Sequence, residues 1–307
     1  MSGPVQTEDV ADDAPAGEVS AGATLVEGRA TTVGTTPVRR VLPRRPHRSV
    51  GPWCFADVLG PVDISSRHGV DIAPHPHIGL QTATWLVAGE IVHRDSLGSE
   101  QSIRPGQLNL MTAGRGIAHS EEHSDHYEGA LLGIQLWIAQ PEGTRNGPPA
   151  FDHHADLPRV ELPGVVATVL AGTVAGVRSP ARCDTEHAGA ELALHAPARL
   201  PVVPHHEYAV VVLEGALETE RVRVGQGSMA YLGAGRDEVE LRPLGDARAM
   251  LLGGEPFGEP LLMWWNFVAR NREEIDTARS LWLARDERFG RVDSVLPIVE
   301  PPNPLWG

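Results

Sequence analysis

Apolar residues fall in short runs along most of the chain, broken by glycine and proline. The runs "TATWLV" and "EIVHRD" flank Ala88-Gly89, which predicts a β-hairpin. "RPGQLNLMT" is a Pro-Gly turn followed by a strand, and "ALLGIQLWIA" is a further strand. After a polar stretch, "VVATVLAG", "ELALHAP", "YAVVVLEG", "RVRVG", "SMAYLG" and "EVELRP" continue the same rhythm. Short strands at this spacing predict β-sandwiches or barrels. The periodicity changes once, in "NREEIDTARSLWLARDE". Asn271 is an N-cap with Glu274 three residues on, and Ile275, Ala278 and Trp282 recur at helical spacing.

The two β regions share a pattern. Gly106 precedes the "AGR" that begins at Ala113 by the interval that separates Gly227 from the "AGR" at Ala234. A hairpin glycine, Gly89 or Gly215, lies ahead of each. This favours a duplicated barrel. The fold class read from the chain is therefore all-β, with two β-barrels, a short C-terminal helix and a disordered N-terminal tail. The expected boundaries are an acidic tail over 1–36, a first barrel over 37–142, and a linker with the first strands of the second barrel over 143–183. The second barrel then spans 184–270, and the helix and a tail span 271–307. The five arginines of "PVRRVLPRRPHRS" are read as an edge strand or loop.

Composition narrows the function classes. A net charge of −14 in 307 residues argues against nucleic acid or an anionic membrane as partner, because phosphate binding needs clustered cations. A protein partner stays open. No apolar run reaches the ~18 residues of a membrane span. No basic-then-apolar leader opens the chain. Cys54 and Cys183 match no metal or redox spacing, so a reduced cytoplasm is the expected setting.

The chemistry concentrates in "APHPHIGLQT" and "MTAGRGIAHSEE". Residues two apart on a strand share a face, so His75 and His77 converge, as do His119 and Glu121. Pro74 and Pro76 hold the histidine backbone extended and remove ladder donors, which suits a barrel mouth. Three imidazoles and a carboxylate suit Fe(II), Mn(II), Ni(II), Cu(II) or Zn(II). His93 and Asp95 also share a face; they are read as an exposed pair, with orienting a ligand histidine or lining a substrate pocket as the other readings. In the second barrel, counting from Gly227 as His119 and Glu121 count from Gly106 gives Glu240 and Arg242. A guanidinium would repel a divalent ion, so that barrel is read as metal-free.

Together "APHPHIGLQT", "HRDSLG", "RPGQLNLMTAGRGIAHSEE" and the later "LEG" hairpin resemble the pirin family of the cupin superfamily, from about Pro37 to the final helix. The resemblance implies two cupin barrels, with one iron, as Fe(II), held in the first by His75, His77, His119 and Glu121. Gln81 stands where many cupins carry a glutamate ligand; in pirins that role passes to the later glutamate. The activity implied is of the quercetin 2,3-dioxygenase type, with a small aromatic substrate and O2, and Glu121 as general base. The alternative implied is a non-enzymatic iron protein that binds a transcription factor or metabolic enzyme.

Overall fold

The computed structural model describes residues 22–34, 36–64, 70–304 and 306. The chain is all-β, with 25 strands and one α-helix among those residues. Most of its strands form two domains, each built of a large and a small antiparallel sheet.

In the first domain the large sheet runs, edge to edge, through Ala150–His154, Leu108–Thr112, Leu80–Ala88, Gly129–Ala139, Trp53–Ile64, Thr36–Leu42 and Arg29–Val33. The small sheet runs through Ile72–His77, Ile117–His123, Ile91–Asp95 and Glu100–Ile103. The second domain repeats the plan. Met229–Gly233, Glu207–Glu214, Ala247–Gly254, His187–Leu194 and Val165–Val174 lie in its large sheet, and Ala198–Pro201, Glu238–Pro243, Ala216–Thr219 and Val222–Gly225 form the small one. Each expected barrel is thus a pair of sheets, a double-sheet solution to the edge problem. Gly106 and Gly227 both sit at positive φ, +82° and +71°, in the turn before equivalent strands. The repeated interval in the sequence marks a real duplication.

The two large sheets pack against each other. One apolar cluster joins Trp53, Val58, Trp85, Ile134 and Leu136 of the first domain to Val211, Leu213, Met250 and Leu252 of the second. Both faces of the central strands are therefore covered, which is why Trp53 to Leu59 is buried without alternation. The Trp53 indole N–H reaches the carbonyls of Gly253 and Ala188, at 3.0 and 3.2 Å. Gly189 makes room for that ring: a Cβ there would lie 2.8 Å from Cζ2.

Several expected boundaries need correction. Within the 1–36 tail, residues 24–26 and 29–33 are strands; residues 1–21 lie outside the described residues. Thr24–Val26 pairs with Met229–Gly233 of the second domain, and Arg29–Val33 pairs with Thr36–Leu42 of the first. Open sheet edges supply hydrogen-bond partners that the composition of a polar segment does not reveal. The arginine-rich strand Thr36–Leu42 is consequently not an edge. Its Arg40 is buried and donates from Nε and Nη2 to the two Asp57 oxygens, both at 2.8 Å.

The 143–183 linker also contributes to the first domain, since Ala150–His154 pairs with Leu108–Thr112. At the other end, the hairpin Leu262–Trp264 and Phe267–Ala269 lies within the span expected for the second barrel but joins neither sheet of that domain. It packs with Ile78 and Ala118 of the first domain, against Ile275, Ala278 and Trp282 of the helix. The helix itself, Arg272–Leu283, begins as expected: the Asn271 side chain accepts from the Glu274 backbone N–H at 3.0 Å. No described helix is long and apolar enough to cross a membrane.

Candidate metal centre

Ile72–His77 is the edge strand of its small sheet, where prolines are tolerated. Its antiparallel neighbour Ile117–His123 pairs His119 with His75 and Ile117 with His77. The alternation of strand side chains turns His75, His77, His119 and Glu121 inward, where each is at most 1% exposed. One ring nitrogen from each of His75, His77 and His119 falls in a group whose atoms all lie within 4.8 Å of one another. The group contains no carboxylate: Glu121 is one step further along the inner face, past a register shift between His119 and Glu121. There its Oε1 lies 3.3 Å from the Thr84 hydroxyl.

The far ring nitrogens fix the tautomers. His75 Nδ1 donates to the Ala73 carbonyl and His77 Nδ1 to the Asn266 carbonyl, each at 2.9 Å. His119 Nδ1 lies 3.3 Å from His93 Nδ1, and His93 Nε2 lies 3.0 Å from Asp95 Oδ2. A carboxylate can only accept, so His93 carries its proton on Nε2, and its Nδ1 accepts from His119. All three Nε2 atoms are then bare lone pairs. His77 Nε2 and His119 Nε2 face each other at 3.1 Å, and buried His75 Nε2 has no hydrogen-bond partner. Two lone pairs at that distance repel unless a cation lies beside them. The residues fit a metal ion.

Burial keeps the three imidazoles neutral, the form that ligates. It lowers the His75 pKa to about 3, and lowers those of His77 and His119 well below the ordinary histidine value, with further lowering from their histidine neighbours.

His93 and Asp95, expected to be exposed, are 4% and 2% exposed and form the outer part of this centre. The strand Ile91–Asp95 lies beside Ile117–His123, which pairs His119 with Asp95 and Glu121 with His93. The Asp95 Oδ1 atom also accepts from the backbone N–H groups of Leu97 and Ser99, at 2.8 and 3.1 Å. Although burial pushes the Asp95 carboxyl upward, these bonds and His93 hold it below its ordinary range. Phe151, from the strand outside the predicted barrel, stacks on His93 with ring centroids 4.4 Å apart. The i, i+2 spacing of His93 and Asp95 was the available signal; only the pairing of their strand with the ligand strand gave it meaning. His93→Ala is expected to weaken metal binding by roughly 10–100-fold, because the His119 Nδ1–H loses its acceptor and the ring its orientation. Competition with a chromophoric chelator measures this; unchanged affinity would remove His93 from the centre.

The second domain holds apolar residues at the matching positions. Ala198 pairs with Leu241 and Leu200 with Val239, as His75 and His77 pair with His119 and Ile117. All four are buried in the core of that domain. The counted positions, Glu240 and Arg242, point outward instead and pair with each other at 2.9 Å. A shift of one residue in a strand exchanges its faces.

Comparison with known proteins accords with this arrangement. The pirin family model matches residues 35–138, and the model of the pirin C-terminal cupin domain matches residues 189–290. A Pseudomonas aeruginosa protein provisionally named a quercetin 2,3-dioxygenase is 48% identical over 273 residues, 88% of this chain and 86% of its own length. A Caulobacter vibrioides pirin-like protein is 38% identical, covering 85% of this chain and 92% of its own. A crystal structure titled quercetin 2,3-dioxygenase from Acinetobacter baumannii superposes with a TM-score of 0.89 at 41% identity, covering 92% of this chain and 95% of that one. With both family models matched in chain order, and the histidine group in the first of the two cupin domains, the chain belongs to the pirin family.

Proposed function

We propose that the protein is an iron-dependent, quercetin 2,3-dioxygenase-type enzyme that opens the ring of a flavonol or similar polyphenol with O2. The observation that carries the metal part is the convergence of three neutral imidazoles whose Nδ1 protons are all committed elsewhere. The names of the bacterial relatives support the substrate class. His75, His77 and His119 hold the ion, with Glu121 as the fourth ligand, and Fe(II) suits this borderline-to-hard donor set. Bound iron supplies the redox chemistry with O2 that no side chain here can supply. Glu121 accepts the proton of the flavonol 3-hydroxyl. Two free cysteines support a reduced cytoplasm as its setting. Oxygen uptake by iron-loaded protein across a panel of flavonols and polyphenols tests the reading. Consumption coupled to loss of flavonol absorbance supports it.

One observation favours a second reading. The four inner residues are at most 1% exposed and Phe151 covers His93, so a flavonol reaches the centre only if covering side chains move. A closed iron centre suits a regulator whose redox state biases contact with a protein partner. Iron-loaded protein that consumes no O2 with any flavonol would make this the better account.

On either reading the ion is not needed for folding. Five apolar clusters span the molecule, whereas a zinc finger has almost no core without its metal. Chelated protein is expected to keep its far-ultraviolet spectrum and a cooperative melt. Collapse to an unfolded spectrum would make the site structural.

A further inference from the structure

We propose a second metal site at the rim of the second domain, formed by Glu186, His205, His206 and Glu255. One ligand atom from each falls in a group within 4.8 Å of one another. The sheet assembles it from the ends of three adjacent strands. Glu186 precedes His187–Leu194, Glu255 follows Ala247–Gly254, and His206 precedes Glu207–Glu214, while the registers pair His187 and Glu207 with Gly254 from opposite sides. The Glu255 N–H donates to the Glu186 carbonyl at 3.0 Å, which fixes the two acids side by side. The turn that bears His205 and His206 is the counterpart of Ile78-Gly79, the corner that follows the ligand histidines of the first domain.

Each histidine faces one of the acids without closing to a short hydrogen bond. His205 Nε2 lies 3.5 Å from Glu255 Oε1, and His206 Nε2 lies 3.7 Å from Glu186 Oε2. A charge-assisted hydrogen bond would close to about 2.7–2.9 Å. Ligand atoms about 2.0–2.1 Å from a tetrahedral ion stand roughly 3.3 Å apart, so these two pairs would close by a few tenths of an ångström around an ion. His206 is 7% exposed, and its buried Nε2 makes no hydrogen bond. Glu207, next in the chain, turns away to accept from Gly51 N–H at 2.8 Å and the Tyr231 hydroxyl at 3.0 Å, so it is spent elsewhere.

Two imidazoles and two carboxylates select a borderline divalent ion, Zn(II) foremost. Glu186 and His206 also line a cavity of ≈ 670 Å³ with His187, Cys183 and Tyr208. The ion therefore stands where it can meet a small anionic or polar guest in the second domain. This site is independent of the proposed dioxygenase chemistry, since none of its residues belongs to the first domain.

The test is a calorimetric Zn(II) titration, which needs neither O2 nor flavonol. The His75→Ala, His77→Ala protein, stripped of its first site, is expected to bind one Zn(II) per chain. Wild-type protein with iron already in the first site is expected to do the same. Adding His205→Ala, a side chain 62% exposed whose loss spares the core, should weaken binding at least about tenfold. His206→Ala should weaken it further. No Zn(II) uptake by either parent, or uptake unchanged with both histidines replaced, would overturn the site.

Discussion

Replacing His75 and His77 together by alanine is expected to leave the protein without its tightly held metal. The two rings supply two of the three bare Nε2 atoms, and their Nδ1 protons are anchored by the Ala73 and Asn266 carbonyls. What remains is one imidazole and one carboxylate. That set competes poorly with water for a divalent ion, because the geometry that selects it has gone. The fold is expected to persist, since the surrounding apolar clusters do not include these rings. Elemental analysis of purified wild-type and variant protein, after dialysis to remove weakly held ions, measures the effect. A variant with full metal content would overturn the assignment of the centre.

Glu121→Gln is expected to separate two roles of one side chain. Glutamine keeps the size and an oxygen acceptor for the Thr84 hydroxyl, now 3.3 Å from Glu121 Oε1, but it cannot take a proton at neutral pH. The three imidazoles remain, so iron should be retained with weakened affinity. Flavonol turnover is expected to fall roughly 10²–10⁴-fold, the effect of losing a general base, or about 3–5 kcal/mol of transition-state stabilisation. Turnover and iron content must be measured on the same preparation. Undiminished turnover with iron bound would exclude Glu121 as the base.

The histidine pairs were legible because strand geometry is local. Residues at i and i+2 share a face wherever a strand forms, and prolines beside both histidines keep that segment extended. The same local logic found the helix, whose cap and packing face depend only on residues within three turns. The duplicated barrel was legible too, since each repeat places its turn glycines at the same interval. Reading failed where a shift of one residue mattered. Glu240 and Arg242 counted correctly from Gly227 yet lie on the outer face of their strand.

What the sequence by itself determined, then, is an all-β chain with two related halves and a set of candidate ligand residues in the first. Tertiary structure decided which atoms of those residues point at one another. The Asn266 carbonyl that sets the His77 tautomer lies 189 residues away, on a hairpin that crosses from the second domain's sequence to the first domain's surface. Gly79 accepts that crossing: a Cβ there would lie 2.2 Å from the Val268 carbonyl oxygen. His93 and Asp95 likewise become an orienting relay only because their strand lies beside the ligand strand. The physical reason is the range of the interactions. Strand alternation and capping are fixed by dihedral angles and neighbours a few residues apart, and so are written along the chain. Strand neighbours, sheet edges and tautomers are set by hydrogen bonds between segments of any separation, and only the folded chain brings those segments together.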